Sequence, residues 1–302
     1  MTPYRTAVVG VPGSWSSEAL ADAFAARFGE RHVVDLSKVA LDTEDGRVHT
    51  DRLDLTALDA IFIKKAGPHY GPDLLDRLEL LRVAEAKGVL VMSSPERVLR
   101  LLDRAACTIS LAAAGLPLPP TRITENVELA VDAAVEFGEA VLKPLYSTKA
   151  RGMEVVSGSR AEIRSRIVAF QEAGNSVLYV QKKIDLPDRD LGVVFLGDSY
   201  LGTYARVGHE SSWNTTIAAG GRYEAHDPTD ATVAVSRRAR DLFGLEFTSV
   251  DVVETARGPI LFEVSAFGGF RGLHDGLGID APARVAAHVE ERIRSAKVGV
   301  GR

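Results

Sequence analysis

The chain has 302 residues, of which 46% are hydrophobic and 25% are charged, and its formal net charge is −5. This composition is that of an ordinary globular protein with room for two or three domains, and it argues against a disordered, collagen-like or coiled-coil chain. A mildly acidic total also argues against a general nucleic-acid binder, which would be basic. The one cysteine, Cys107, rules out an intrachain disulfide framework and any multi-cysteine zinc or iron–sulfur site.

The first fifteen residues contain a short apolar run that Pro12 and Gly13 interrupt, which is too short and too broken for a secretory signal. No apolar run in the sequence approaches the roughly 18 residues that a membrane span needs. The sequence therefore predicts a cytoplasmic protein that binds neither membranes nor nucleic acid.

The first third of the chain alternates short apolar runs with amphipathic segments. We expect strands over 6–11, 33–34, 58–63 and 89–92, and helices over 18–28 and 73–86. In the second helix Leu74, Leu78 and Leu81 repeat at helical spacing, and Gly88 follows as a stop. This alternation predicts a small doubly wound α/β domain with a parallel sheet over residues 1–93.

A helix over residues 95–114 is predicted next, with three arginines spaced along it, and a proline-rich linker over 117–120 follows. Beyond the linker we expect helices over 160–172 and 229–243 and strands over 139–144, 153–156, 177–183, 192–196, 200–207, 248–254 and 259–264. Strands that follow one another through short turns favour an α+β architecture with antiparallel sheets.

Lys143 stands at the end of an apolar strand, beside a polar and cationic loop over residues 146–152. A flexible loop with free N–H groups, the cations Lys149 and Arg151 and a terminal Gly152 suits phosphate oxygens. A solvated basic loop is the alternative that this pattern leaves open.

Asp251 and Glu263 lie within apolar runs of two consecutive strands that a turn at 257–258 joins. A hairpin brings two such carboxylates together when both point to the same face, and unpaired carboxylates in that position need a cation. Mg²⁺ takes oxygen ligands and is normally shared with substrate phosphates. The alternative is a pair of rim carboxylates held in salt bridges.

Residues 179–184 are predicted to form a strand that runs into an acidic segment over 185–190. The backbone groups of such a strand could bind the edge of a purine, and an acidic residue just after it could accept hydrogen bonds from ribose hydroxyls. The pattern has little specificity when it is taken alone.

The order of these features resembles the ATP-grasp superfamily and, over nearly the whole chain, the RimK-type amino-acid ligases. A strand lysine is followed by a phosphate loop, a hinge strand, an Asp, then Arg206, Asn214 and the Asp251–Glu263 pair. The tail strengthens the resemblance, because segments 263–269 and 278–280 can be laid without gaps on the closing motif of that family. A closer similarity is to a bacterial ATP-grasp group encoded beside an HPr-kinase-like protein.

The resemblance implies a small doubly wound parallel-sheet domain over 1–93, followed by a two-subdomain ATP-grasp domain over 94–302. The linker helix and a nucleotide-binding subdomain would occupy about 94–180, and a metal-binding subdomain would occupy about 181–302.

The resemblance also implies a set of site residues. The residues implied to bind ATP are Arg104, Lys143, Lys149, Arg151, Gly152, Gln181, Lys182, Lys183, Ile184 and Asp190. Within this set, residues 181–184 would form the adenine hinge and Asp190 would lie at the ribose. The implied catalytic residues, which contact or face the phosphates, are Lys143, Arg206 and Asn214. The implied ligands of Mg²⁺, or of Mn²⁺ as an alternative, are Asp251, Glu263 and Ser265.

Several positions depart from the pattern of the family. Ser265 stands where the family usually has Asn, and its shorter side chain would reach a metal only through water. Arg104 replaces a phosphate lysine, which keeps the charge but not the geometry. Arg271 and His274 replace acidic positions, and Lys65 falls where relatives often place a substrate-binding Arg. These cations, with Lys64 near them, predict an anionic substrate bound by Lys65, Arg271 and His274. A solvated strand end is the alternative for Lys64 and Lys65.

The implied activity is an ATP- and Mg²⁺-dependent ligation of a carboxylate to an amine through an acyl phosphate, on an anionic small-molecule or peptide substrate. The departure at Ser265 keeps two alternatives open, namely a kinase-like protein that stops at phosphoryl transfer and a nucleotide-binding regulator with a weakened metal site. The resemblance also implies that the protein forms a homodimer.

Overall fold

The structure, a computed structural model, describes residues 4–186, 188–208, 215 and 220–300. It has a parallel sheet in the N-terminal third and antiparallel sheets in the remainder. The predicted succession of an α/β part and an α+β part is therefore confirmed.

The first sheet consists of β1 (Thr6–Val9), β2 (Val33–Val34), β5 (Ala60–Ile63) and β6 (Leu90–Met92). Its order is β2-β1-β5-β6 and all neighbouring strands are parallel. Helices α1 (Trp15–Phe28) and α2 (Asp73–Ala86) follow β1 and β5, as the sequence predicts. A small hairpin of β3 (Ala40–Asp42) and β4 (Arg47–His49), which the sequence did not lead us to expect, lies between β2 and β5.

The single helix predicted over residues 95–114 is wrong, because the chain forms α3 (Pro95–Leu102) and α4 (Arg104–Ala113). Asp103 separates them with φ −90° and ψ 120°, and its side chain accepts a hydrogen bond from the backbone N–H of Ala105 at 2.8 Å. Asp is a favoured N-cap because its carboxylate satisfies a free N–H of the first helical turn. The break places Arg104 at the start of α4, where its own N–H donates to the Leu145 carbonyl.

The second sheet is antiparallel and has the order β7-β10-β8-β9. Its strands are β7 (Thr121–Thr124), β8 (Ala140–Leu142), β9 (Glu154–Val156) and β10 (Leu178–Lys182). Helices α5 (Val127–Phe137), which is not expected from the sequence, and α6 (Arg160–Glu172) share an apolar core with this sheet. β8 ends at Leu142, so Lys143 begins the loop that leads out of the sheet.

The third sheet is also antiparallel and has the order β13-β12-β11-β14-β15. Its strands are β11 (Arg189–Leu196), β12 (Ser199–Val207), β13 (Arg222–Ala225), β14 (Phe247–Thr255) and β15 (Gly258–Ser265). The helices of this part are α7 (Asp230–Phe243), α8 (Phe270–Leu277) and α9 (Ala281–Val300).

The hydrophobic core joins the first sheet to the third. One buried cluster contains Ile61 of β5 together with Phe195 of β11, and another contains Phe62 of β5 together with Phe247 of β14. The second sheet and its two helices instead have a cluster of their own, centred on residues such as Ile167. The fold therefore presents a body built from the first and third sheets and a smaller unit that faces it.

Candidate active site

A cleft of about 820 Å³ is lined by residues that lie within the strands of the third sheet or just after strands of the first and second sheets, together with residues of nearby loops and helices. Ten of the residues predicted from the sequence line it, and these are Lys65, Arg104, Lys143, Lys149, Asp190, Arg206, Asp251, Glu263, Ser265 and Arg271. The structure therefore brings most of the predicted phosphate, metal and substrate residues to one place, although they come from segments far apart in the chain.

The cleft is cationic. Among the described residues that line it, the cations are Lys64, Lys65, Arg104, Lys143, Lys149, Arg206 and Arg271, and the carboxylates are Asp190, Asp251 and Glu263. This local excess of positive groups contrasts with the net charge of −5 of the whole chain. A cleft lined mainly by one sign of charge concentrates ligands of the opposite sign, so the site suits a polyanion.

Lys143 is partly buried just after β8 of the second sheet, where its Nζ donates a hydrogen bond to Gln181 Oε1 at 2.5 Å. The pKa of Lys143 is lowered to about 7, first by burial and then by the Arg104 guanidinium, with the Glu263 carboxylate opposing both. When burial lowers the pKa of an ammonium group, a bound anion that replaces the lost hydration strongly stabilises the charged form.

The Gln181 side chain, which is 2% exposed, fixes Lys143 rather than facing the cleft. Its Nε2 donates to Thr121 Oγ1 and to the Tyr179 hydroxyl, both at 3.0 Å. The Tyr179 hydroxyl in turn lies 2.8 Å from Thr108 Oγ1 on α4. This buried chain of hydrogen bonds holds the Gln181 amide in one orientation, with its oxygen toward Lys143.

Asp251 and Glu263 are directly opposite each other on β14 and β15, so they share one face of the sheet. The register shifts between Asp251 and Val252, and Phe262 of the partner strand lines the cleft beside Glu263. β-Bulges of this kind re-aim side chains next to functional sites.

The Asp251–Glu263 pair fits a hard divalent cation. The pKa of Asp251 is raised to about 7, because burial and the Asp190 and Glu263 carboxylates together outweigh the lowering effect of Arg206. Carboxylates that repel one another in this way are relieved by a cation, and Mg²⁺ prefers such oxygen donors. The described residues hold no group of three or more His, Cys, Asp or Glu side chains suited to a metal. Ser265, which also lines the cleft, offers a hydroxyl as a further oxygen ligand.

Two arginines neutralise the carboxylates of the cleft. Arg206 Nε donates to both oxygens of Asp190, at 3.2 and 3.0 Å, and its Nη2 lies 3.1 Å from Asp251 Oδ2. Burial by itself lowers the pKa of Arg206, but the two carboxylates outweigh it and raise that pKa well above its usual value. Arg104 Nη1 donates to Glu263 Oε2 at 2.6 Å. Asp190, predicted to lie at a ribose, is thus engaged by Arg206 and by the Thr215 hydroxyl.

The predicted hinge residues after Gln181 do not line the cleft. Lys182 N–H donates to the Pro120 carbonyl, Lys183 Nζ pairs with Glu139 at 2.9 Å, and Ile184 is half-buried.

Four other predicted residues lie outside the lining of the cleft or outside the described chain. Arg151 Nη1 is 3.4 Å from His69 Nδ1, and Gly152 has a φ of 68°, which suits glycine in this loop. The His274 side chain is 61% exposed and lies beside Asp275. Asn214 lies outside the described residues.

Two residues without a predicted binding role line the cleft at the end of the first sheet, namely Lys64, which was expected only near the substrate rim, and Trp15. Lys64 directly follows the buried strand β5, as Lys143 directly follows β8, so the same sequence signal could have found it. Trp15 begins α1, and the Arg271 guanidinium lies 4.5 Å from the centroid of its ring. No local signal reveals that contact, because Trp15 and Arg271 are 256 residues apart in the chain and only the tertiary structure brings them together.

Residues 102–289 match the RimK-like ATP-grasp domain. The chain belongs to the RimK-like ATP-grasp family. This RimK-like protein is 25% identical over 315 residues to the tetrahydromethanopterin:alpha-L-glutamate ligase of Methanosarcina acetivorans, an alignment that covers 92% of this chain and 96% of the relative.

Solved structures agree with the family assignment. The ATP-grasp RimK domain protein from Sphaerobacter thermophilus is 24% identical with a TM-score of 0.73, covering 94% of this chain and 98% of that one. The ATP-grasp ligase PsnB, complexed with a phosphomimetic variant of a minimal precursor, Mg and ADP, is 20% identical with a TM-score of 0.75, covering 97% and 100%. The likeness to these structures establishes the ATP-grasp fold.

The predicted family, fold and enzyme class, a ligase that forms C–N bonds, are confirmed by these matches. Within the described ranges, no helix is both long enough and apolar enough to cross a membrane. The domain boundaries at 93 and 180, the use of Mn²⁺, the homodimer and the cytoplasmic location stay predictions.

Proposed function

We propose that this RimK-like protein is an ATP- and Mg²⁺-dependent ligase that joins a carboxylate to an amine through an acyl phosphate, on an anionic small-molecule or peptide substrate. The observation that carries the proposal is the convergence of Lys143, Arg206 and the Asp251–Glu263 pair on one cationic cleft. A triphosphate and a divalent cation together match that combination of buried cations and facing carboxylates.

In the first step a substrate carboxylate oxygen attacks the γ-phosphorus of ATP, the bond from that phosphorus to the bridging oxygen breaks, and ADP leaves. The protein contributes positioning and charge neutralisation, as in other phosphoryl transfers. Lys143, held by Gln181, and Arg206 would offset the charge on the phosphate oxygens. Loss of one such buried charged contact typically costs about 2–5 kcal/mol.

Asp251, Glu263 and Ser265 would hold Mg²⁺, which supplies neutralisation of the phosphate oxygens when it is bound. The arginines that now pair with the two carboxylates would then be free to contact phosphate oxygens. In this proposal Arg104 and Arg206 are the counter-ions of Glu263 and Asp251 until the metal binds. The two arginines then give up their place beside the carboxylates to the metal and bind the nucleotide.

In the second step the nitrogen of an amine attacks the acyl carbon, inorganic phosphate leaves with the bonding electron pair, and the nitrogen loses one proton to the departing phosphate or to solvent, which leaves a neutral amide. Lys65 and Arg271 at the far side of the cleft would bind the anionic part of the substrate. L-Glutamate is the first amine to test, because curated relatives with 25% identity are named alpha-L-glutamate ligases.

One observation favours a second candidate, a nucleotide-binding regulator or kinase-like protein. Both carboxylates of the proposed metal pair already have arginine partners, Arg104 at 2.6 Å and Arg206 at 3.1 Å. A metal must displace these contacts, and Ser265 adds only a hydroxyl, so the cation could bind too weakly to support ligation.

The test is ATP-dependent phosphate release by the full chain with Mg²⁺, screened over a matrix of carboxylic acids and amines. We expect release that requires both an acid and an amine, and that falls by at least 30-fold in K143M and in D251N. ADP formation with an acid alone, with a stable phosphorylated product and no release of phosphate, would indicate the kinase-like protein. ATP binding without turnover on any pair would indicate the regulator and contradict the ligase proposal.

A further inference from the structure

Lys64 is a buried cation that the proposed chemistry does not use. It directly follows β5, is 2% exposed and lines the cleft. Its Nζ donates to the Phe267 carbonyl oxygen and lies 4.5 Å from the centroid of the Phe270 ring. An ammonium group has three donors, so one carbonyl leaves part of its hydrogen-bonding capacity unused among the described residues.

The positive charge of Lys64 has no acidic partner in the part of the chain that the structure describes. Burial and the neighbouring charge of Lys65 lower the pKa of Lys64 to about 7, and no carboxylate acts against them. Lys65 has a similar electrostatic environment, since burial and the charge of Lys149 both lower its pKa. A buried cation without a counter-ion is costly, and a bound anion removes that cost.

Lys64 and Lys65 follow β5 at the carboxyl end of the first sheet, which is the end at which α/β sheets bind ligands. β1 is flanked by β2 on one side and β5 on the other, so the carboxyl ends of β1 and β5 form a topological switch point. The backbone N–H groups of Lys64 and Lys65 both donate to the Val9 carbonyl at the end of β1. Trp15 and Ser16, at the start of α1, line the cleft beside them.

This group of cations is separate from the one that surrounds Lys143. The charges that act on Lys143 are those of Arg104 and Glu263, whereas Lys64 is affected by Lys65, and Lys65 by Lys149. The charge environment of Lys143 thus combines an arginine with a carboxylate, whereas the charges that act on Lys64 and Lys65 are those of lysines.

We propose that Lys64 and Lys65 form an anion subsite, which binds a carboxylate or phosphoryl group of the substrate that takes no part in the reaction. The inference rests on the proposed ligase function and narrows its substrates to acids or amines that carry an additional negative charge. Lys64 acts in it as a specificity residue, since it would contact the substrate away from the reacting atoms.

The experiment compares K64M with wild type by calorimetric titration of two matched pairs of probes, L-glutamate with L-glutamine and O-phospho-L-serine with L-serine. Methionine keeps the unbranched stem over Phe270 and removes the charge. K87M is the control, because Lys87 is an exposed lysine outside the cleft whose Nζ donates to the Asp45 carbonyl at 2.8 Å. The same titrations with ATP and Mg²⁺ report on the nucleotide site.

We expect wild type and K87M to bind the charged member of at least one pair at least tenfold more tightly than the neutral member. In K64M this preference should fall below threefold, while the Kd for ATP stays within twofold. The pair that shows the effect identifies a carboxylate or a phosphoryl group as the ligand. If K64M does not fold, K65M tests the same preference.

The subsite would be overturned by a wild type without preference in either pair, by a K64M variant that keeps the preference, or by a K64M variant that weakens ATP binding instead. A loss of Tm with equal weakening of both members of a pair would make Lys64 a structural clamp on Phe267 and also reject the proposal. Binding is measured without turnover, so the two proposals can fail separately. If the protein shows the binding preference but releases no phosphate in the screen, the ligase proposal is rejected and the anion subsite is supported.

Discussion

Replacement of Lys143 by Met is expected to stabilise the unliganded protein while it abolishes turnover. Holding this ammonium group charged at pH 7, against a pKa lowered from 10.5 to about 7, costs on the order of 4 kcal/mol. Methionine removes that cost but leaves Gln181 Oε1 without its donor, which costs about 1–3 kcal/mol. The balance is a stabilisation of roughly 2 kcal/mol, or a rise in Tm of roughly 4 °C for a chain of this size.

The pH dependence of this effect has a definite sign. The folded-state pKa of Lys143 lies below the unfolded value of 10.5, so between pH 7 and 10.5 the unfolded chain binds more protons than the folded chain. The free energy of unfolding of the wild type therefore rises with pH in this window. The advantage of K143M should shrink as the pH rises, and near pH 10 the unpaired Gln181 should make the variant the less stable protein.

The assay is urea unfolding of nucleotide-free wild type, K143M and the surface control K87M at pH 7.0 and pH 9.8. We expect K143M to be the more stable protein at pH 7.0 and to lose that advantage at pH 9.8, whereas K87M follows the wild type at both. A K143M variant that is destabilised at pH 7.0, or whose difference from wild type is the same at both pH values, would refute the burial argument for Lys143.

Three further variants test other contacts of the cleft. Q181L should lower kcat/KM for ATP about tenfold through loss of a hydrogen bond to a charged group, and an unchanged value in steady-state kinetics would contradict the role of Gln181. D251N should raise the Mg²⁺ concentration for half-maximal phosphate release at least tenfold, with D241N, an exposed carboxylate outside the cleft, as its unaffected control. W15L should raise the KM for the anionic substrate two- to fivefold, as expected for loss of a cation–π contact of about 0.5–1 kcal/mol with Arg271; a fall in kcat at constant KM would argue against it.

Local patterns predict much of the fold and part of the site. The buried strands β1 and β5 are short apolar runs bounded by turns, so their sequence alone identifies them. The hairpin of Asp251 and Glu263 is also predicted, but their shared face is not, because an unbroken register from Val252–Leu261 would pair Asp251 with Phe262. The register shift beside Asp251 is what pairs it with Glu263, and the period of two does not reveal that shift.

Contacts between distant segments are what the sequence could not supply. The break at Asp103 is a local exception, because one capping hydrogen bond from the N–H of Ala105 interrupts an otherwise helical pattern. The role of Gln181 depends on Lys143 and Thr121, which lie 38 and 60 residues away in the chain. Likewise, the arginine partners of the carboxylates follow from how the sheets pack, and no periodicity encodes that packing.

The central claim is that Lys143, Arg206 and the Asp251–Glu263 pair together bind a triphosphate and its metal ion. The most direct test is a crystal structure with a non-hydrolysable ATP analogue and Mg²⁺. We expect phosphate oxygens within hydrogen-bond distance of Lys143 Nζ and Mg²⁺ coordinated by oxygens of Asp251 and Glu263, with at least one arginine moved onto phosphate. Nucleotide bound elsewhere, or bound in the cleft with both arginine–carboxylate pairs intact and no metal between the carboxylates and the phosphates, would contradict the account.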